Sequence, residues 1–176
     1  MKKAFALSGI ILLAASPVLA QDDPQVASAK QTLQLIKGNI VKSAEQMSEE
    51  NYAFKPTPEV RSFGQLVAHV ANANFMICSR ATGAPNPSKD DIEKTKTAKA
   101  DLQKALDESF AFCEAQLAAL TPAQASEMVD FFGGMKQTRL GIFHFNNAHD
   151  FEHYGNMVTY MRMKGLVPPS SQRSGN

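Results

Sequence analysis

Few residues in this chain could do chemistry, and most of them sit close together. Residues 146–156 read NNAHDFEHYGN, which places His149 and His153 four positions apart with Asp150 and Glu152 between them. On a helix, at about 100° per residue, the two imidazoles lie about 40° apart and project side by side from successive turns. Ile142, Asn146, Met157 and Tyr160 fall on or near the same stripe. The other two histidines are His69 and His144. His144 is offset from His149 by about 140° and so looks elsewhere. His69 shares a stripe with Leu66, Ala73, Met76 and Ile77, which directs it toward the interior of a helical protein.

An inward histidine on one helix and an i, i+4 pair on another can meet as a three-nitrogen site for one divalent cation. Such a donor set suits zinc, nickel, iron, manganese or copper alike, and leaves coordination positions open for water or substrate. A water or thiol held there becomes a usable nucleophile near neutral pH. Three other readings compete. In one, the histidines are packed residues of an amphipathic face. H-D-F-E-H also resembles H-E-x-x-H, with Asp150 in the general-base position, but its arm is shorter and a downstream third ligand is missing. By the same angular count Asp150 and Glu152 point away from the histidine stripe, toward solvent or an outer role. A noncovalent Met/His haem is the third reading, given eight methionines; C-x-x-C-H, the signature of covalent attachment, is absent.

The elements that must position these residues are helices. MKKAFALSGIILLAASPVLA, residues 1–20, reads as an export leader: Lys2 and Lys3, an apolar segment from Ala4 to Ala15, and the small residues Val18 and Ala20 ahead of a cut before Gln21. The apolar segment is too short to span a bilayer, so a soluble periplasmic or secreted product without a stable membrane anchor is expected. Without Lys2 and Lys3, the 18 basic residues no longer outnumber the 17 acidic ones. A near-neutral chain of that kind is no nucleic-acid binder. The remainder is enough for one domain, taken as residues 21–170, before a polar tail at 171–176. Cys78 and Cys113 are either a disulfide, which an oxidising compartment permits, or two small core residues.

Apolar periodicity predicts four long helices and no sustained strand. The first runs from Pro24 to Met47 and stops before Pro56 and Pro58. The second starts at the capping box Ser62–Gln65 and runs to Arg80, closed by Gly83. The third begins near Ser88 and carries Leu102, Leu106, Phe110, Cys113 and Leu117. Thr121 to Met135 reads as a short helix and an irregular connection, and the fourth helix runs from Lys136 to Lys164, ending at Gly165. Four amphipathic helices imply an all-α four-helix bundle, each burying its stripe against the others.

The stretches NYAFKPTPEVRSFGQLVAHVANANFMICSRATG and HDFEHYGNMVTYMRMKGLVPPSS resemble the DinB-like (YfiT-type) family of four-helix-bundle proteins. The most specific parts are R-S-F-G-Q-L-x-x-H at the entry to the second helix and H-x-x-x-H-Y-G-x-x-x-x-Y-x-R in the fourth. The resemblance implies up-down-down-up connectivity and a metal triad matching His69, His149 and His153, with His144 outside it. Characterised members use a low-molecular-weight thiol in transfer or isomerisation, a reading that an export leader sets apart from this chain's surroundings.

The expectation is therefore an exported protein that holds one divalent metal through His69, His149 and His153 and acts on a small-molecule substrate, as a thiol-type transferase or a hydrolase. The alternative is a noncatalytic metal-binding or stress-associated bundle. Asn72, Asn146, Tyr154 and Asn156 are candidates to orient ligands, and Arg61 to meet an anionic substrate group. Gly155 and the methionines are assigned to helix packing, and a homodimer is compatible with either reading.

Overall fold

The computed structural model describes residues 23–172. The leader at 1–20 and the end of the polar tail lie outside them. Helix α1, Pro24–Gln46, is opened by Asp23, whose carboxylate accepts the backbone N–H of Gln25 at 2.8 Å. It buries Val26, Ala29, Leu33, Ile36, Ile40 and Ala44 along one stripe. Helix α2, Phe63–Thr82, begins at the predicted capping box: the Ser62 hydroxyl accepts from Gln65 N while the Gln65 side chain accepts from Ser62 N. Gly83 closes it at φ 79°, a left-handed conformation that a side chain would strain.

The third predicted helix is two. A single turn, α3, covers Ile92–Thr95, and the long helix α4, Lys99–Ala118, follows after an extended break at Lys96 and Ala98. Between Ile92 and Leu102 the sequence offers no large apolar residue to continue a buried stripe, and two threonines favour extended backbone there. The turn is instead tied to α2, where Asn72 accepts from Ile92 N at 3.0 Å and donates to Asp91 at 2.8 Å.

After the short helix α5, Pro122–Ala125, the expected irregular connection is an antiparallel hairpin, β1 (Met128–Asp130) with β2 (Lys136–Thr138), in register Val129 opposite Gln137. Its tip turns through Gly133 and Gly134 at φ 64° and 76°. Three-residue strands are too short for alternation to stand out from the sequence. Because 136–138 is strand, the last helix, α6, starts at Arg139, capped by Thr138, and runs to Met163.

Side-chain bridges give each helix its direction. Lys37 on α1 meets Glu114 on α4, and Lys99 meets Glu45 O, so these two run antiparallel. Asn74 meets Ser109, Cys78 meets Cys113 and Thr82 meets Gln116, so α2 and α4 run parallel. Ala81 meets Arg139 and Arg61 meets Tyr160, so α2 and α6 are antiparallel. The long helices therefore run up, down, down, up. The cysteines are paired, with Cα atoms 5.4 Å apart; a crosslink closing a loop of this size contributes about 2–4 kcal/mol by restricting the unfolded chain. Phe63, Phe110 and Phe143 fill the centre. No helix among the described residues is long and apolar enough to cross a membrane.

Candidate metal centre

Because α2 and α6 run antiparallel side by side, residues near the start of one face residues near the end of the other. His69 thereby meets His149 and His153. The three rings converge: centroids are 5.2 Å apart for His69 and His149, 4.6 Å for His69 and His153, and 4.3 Å for His149 and His153. One nitrogen from each ring lies within 4.8 Å of the others. Around a tetrahedral ion with bonds of about 2.0–2.1 Å, neighbouring nitrogens sit roughly 3.3 Å apart. The two Nε2 atoms of the i, i+4 pair are 3.1 Å apart, so a small movement of His69 suffices to close the set. His144 is exposed and takes no part.

The electrostatics keep these rings neutral. Burial lowers the pKa of His149 to about 4, helped by the nearby His153; burial also lowers His153 to about 4, helped by His69. His69 is lowered by burial, by the charge of Arg61 and by His149. Neutral imidazole is the form that ligates a cation. The Nδ1 atoms of His149 and His153 are buried without a hydrogen-bond partner. The two Nε2 atoms are 3.1 Å apart and have only each other as partners, so the pair offers converging nitrogens that a divalent cation fits.

Glu93, which sequence reasoning overlooked, borders the cluster. One carboxylate oxygen lies 3.7 Å from His69 Nδ1 and the other accepts from Arg61 Nε at 3.0 Å. Since His69 is held neutral, the first of these is a polar approach beyond hydrogen-bond length rather than an ion pair. Nothing local in the sequence marks Glu93, because it reaches His69 through the docking of α3 on Asn72. Arg61 is thus committed to a carboxylate. Asn72 pins α3, and the Tyr154 hydroxyl donates to Ser170 at 2.7 Å, anchoring the C-terminal segment. Of the four, Asn156 lines a cavity beside His153 and Asn72 one beside His69 and His149.

The cluster opens on two sides. A cavity of about 780 Å³ is lined by His153 with Lys55, Arg61, Glu93, Glu152 and Asn156. Another, of about 540 Å³, is lined by His69 and His149 with Ala73, Met76, Phe132 and Phe145. No fourth His, Cys, Asp or Glu joins the three among the described residues.

Asp150 departs most from expectation. It does not face solvent: it is fully buried, whereas Glu152 is exposed as predicted. The buried arc of α6 is centred on Phe143, Asn146, Asn147, Asp150 and Met157, and the histidines form one edge of it. Counting angles from the histidines therefore turned Asp150 the wrong way. Asn146 Nδ2 donates to Asp150 at 3.2 Å and to Asn74 Oδ1 at 2.8 Å, and Asn74 Nδ2 donates to Ser109 at 3.3 Å. Burial raises the Asp150 pKa well above the usual carboxylate range. A protonated Asp150 can donate to the Asn74 amide atom 3.3 Å away, whereas an ionised one needs that amide turned over so that its nitrogen faces the carboxylate. Met76 and Gly155 also depart: Met76 is 47 % exposed, and Gly155 has no heavy atom near its would-be Cβ.

The model of the DinB superfamily matches residues 33–157. Three solved structures share the fold. A DinB-like protein, YjoA, of Bacillus subtilis is 23% identical with a TM-score of 0.67, over 83% of this chain and 99% of that one. A DinB-like protein of Bacillus cereus is 19% identical with a TM-score of 0.70, over 81% and 95%. YfiT of Bacillus subtilis, described as a probable metal-dependent hydrolase with an unusual four-helix bundle topology, is 15% identical with a TM-score of 0.63, over 86% and 94%. No curated protein sequence is significantly similar to this one.

Proposed function

This chain belongs to the DinB superfamily, and from that membership we propose that it is an exported enzyme in which His69, His149 and His153 hold one divalent cation for hydrolysis or thiol transfer on a small molecule. The observation that carries the reading is the convergence of three neutral imidazoles, two with orphaned ring nitrogens, between cavities open to solvent. A bound divalent cation supplies Lewis acidity that lowers the pKa of a water or thiol at an open coordination position. The chain's own residues do the rest. Glu93 sets a carboxylate 3.7 Å from His69 Nδ1, and burial keeps all three imidazoles unprotonated and available as donors. Glu93 and Glu152 line the wall beside His153, where a carboxylate can take the proton that the nucleophile gives up.

The description of YfiT as a probable metal-dependent hydrolase supports the hydrolytic branch. Export is supported by the leader-like residues 1–20 and by the Cys78–Cys113 disulfide, which suits an oxidising compartment. The test is turnover of a panel of esters, amides and thiol-acceptor pairs by chelator-stripped protein reloaded separately with zinc, nickel, iron and manganese. Activity that appears on reloading and vanishes in His153→Ala supports an enzyme. Stoichiometric metal with no turnover of any pair leaves a noncatalytic metal-binding bundle.

A further inference from the structure

The cavity on the His69 and His149 side continues past the histidines. Its walls Met76, Asn86 and Phe132 also line a neighbouring cavity of about 570 Å³ that takes in Ser79 and Arg80. The two are one groove along α2. His69, Asn72, Met76 and Arg80 recur at spacings of three and four and so share a helical stripe, and the rise of the helix sets His69 and Arg80 about 16 Å apart.

The groove changes character along its length. Its middle is apolar, with Ala73 and Ile77 in the floor and Met76, 47 % exposed, on the rim. The opposite wall is aromatic. Phe131 packs at a tilt against Phe132 of the hairpin turn with centroids 4.4 Å apart and edge-on against Phe145 of α6 at 5.0 Å, and Phe145 is itself 43 % exposed. Large apolar side chains left in water along a concave surface mark a ligand groove. The far end is cationic. Arg139 there is committed to Glu127 at 2.9 Å and to Ala81 O at 2.8 Å, and Asp130 faces Lys136 at 3.7 Å. Arg80 has no carboxylate or hydrogen-bond partner among the described residues, and the Ser79 hydroxyl beside it is buried without one. By contrast, Arg61 in the polar cavity across the site is already neutralised by Glu93.

We propose that this groove binds an extended apolar molecule with an anionic end group, the end group held at Arg80 and Ser79 and the opposite end presented to His69 and His149. The orientation rests on the histidine cluster being the reacting centre; the groove itself does not need a metal to bind its ligand.

The test uses chelator-stripped full-length mature protein and calorimetric titration with decanoate, decanol and decyltrimethylammonium. Decanoate binds tightest of the three. Arg80→Glu weakens decanoate by about tenfold, the size expected when an exposed attraction becomes a repulsion, and Met76→Asp weakens decanoate and decanol alike. Both positions are exposed, so neither variant disturbs folding. Equal affinity for decanoate and decanol, or no response to Arg80→Glu, overturns the proposal. So does decanoate binding that requires added zinc and is lost in His149→Ala, which places the carboxylate on the metal. Arg80-dependent binding in a protein that takes up no metal upholds the groove and sinks the metal centre alone.

Discussion

Two polar clusters lie within a turn of each other between α2 and α6, and they are built on opposite plans. Asn74, Asn146, Asp150 and Ser109 are buried and bond to one another across three helices. His69 and His149 are partly open, His153 is buried beside a cavity, and two of the ring nitrogens have no partner. The first cluster is bonded within the chain, and removing one member leaves a buried polar group stranded. The second is left incomplete by the described residues. Burying polar groups without partners costs stability, so a chain that keeps the second cluster gains something from it that packing does not explain.

The comparison breaks most sharply at a ligand. His149→Ala should weaken metal affinity by about a thousandfold, since each ligand carries a share of a binding energy of order 10 kcal/mol, with little change in the unfolding midpoint of metal-free protein. Asn146→Ala should do the reverse. Stranding Asp150 and Asn74 costs about 2–3 kcal/mol, read from urea unfolding, while one metal per chain is retained. Loss of metal with no loss of stability in that variant would merge the two clusters into one. Next in size is Glu93→Gln, which should weaken metal binding by about tenfold through loss of the carboxylate beside His69, measured by chelator competition.

Acid sharpens the contrast further. The histidine pKa values fall on folding, so below pH 6.5 the unfolded chain binds more protons. Metal-free protein should therefore keep its full stability above about pH 6.5 and lose it as pH falls toward about 4. Asp150 works in the opposite sense. Its folded pKa is raised, so its contribution is present at low pH and is lost as pH rises past the ordinary carboxylate range toward the folded value. Asp150→Asn should make the protein equally or slightly more stable at pH 8, by about 1 kcal/mol or less, and flatten the alkaline arm of the profile. A clear loss of stability at pH 8 would show that the carboxylate charge is used.

How much of this was legible in the sequence depended on whether the governing physics is local. Helices α1 and α2, the Ser62–Gln65 box and the Gly83 stop are local, and they stand where periodicity and capping put them. The histidine pair needed only the helical repeat, and His69 only an inward stripe. Asp150 was misread because the repeat gives relative angles and not the centre of the buried arc, which packing against α1 and α2 sets. The break at Lys96–Ala98, the hairpin and the approach of Glu93 to His69 depend on which surface each segment lands against. The cysteine pairing required a distance, and parallel packing of α2 and α4 supplies it.

The central claim is that the three imidazoles share one cation, and the most direct test is zinc titration of chelator-stripped protein against a chromophoric competitor. The wild-type chain should take up one zinc per molecule with high affinity, and His69→Ala, His149→Ala and His153→Ala should each abolish that step. Unchanged stoichiometry and affinity in any of the three variants would contradict it.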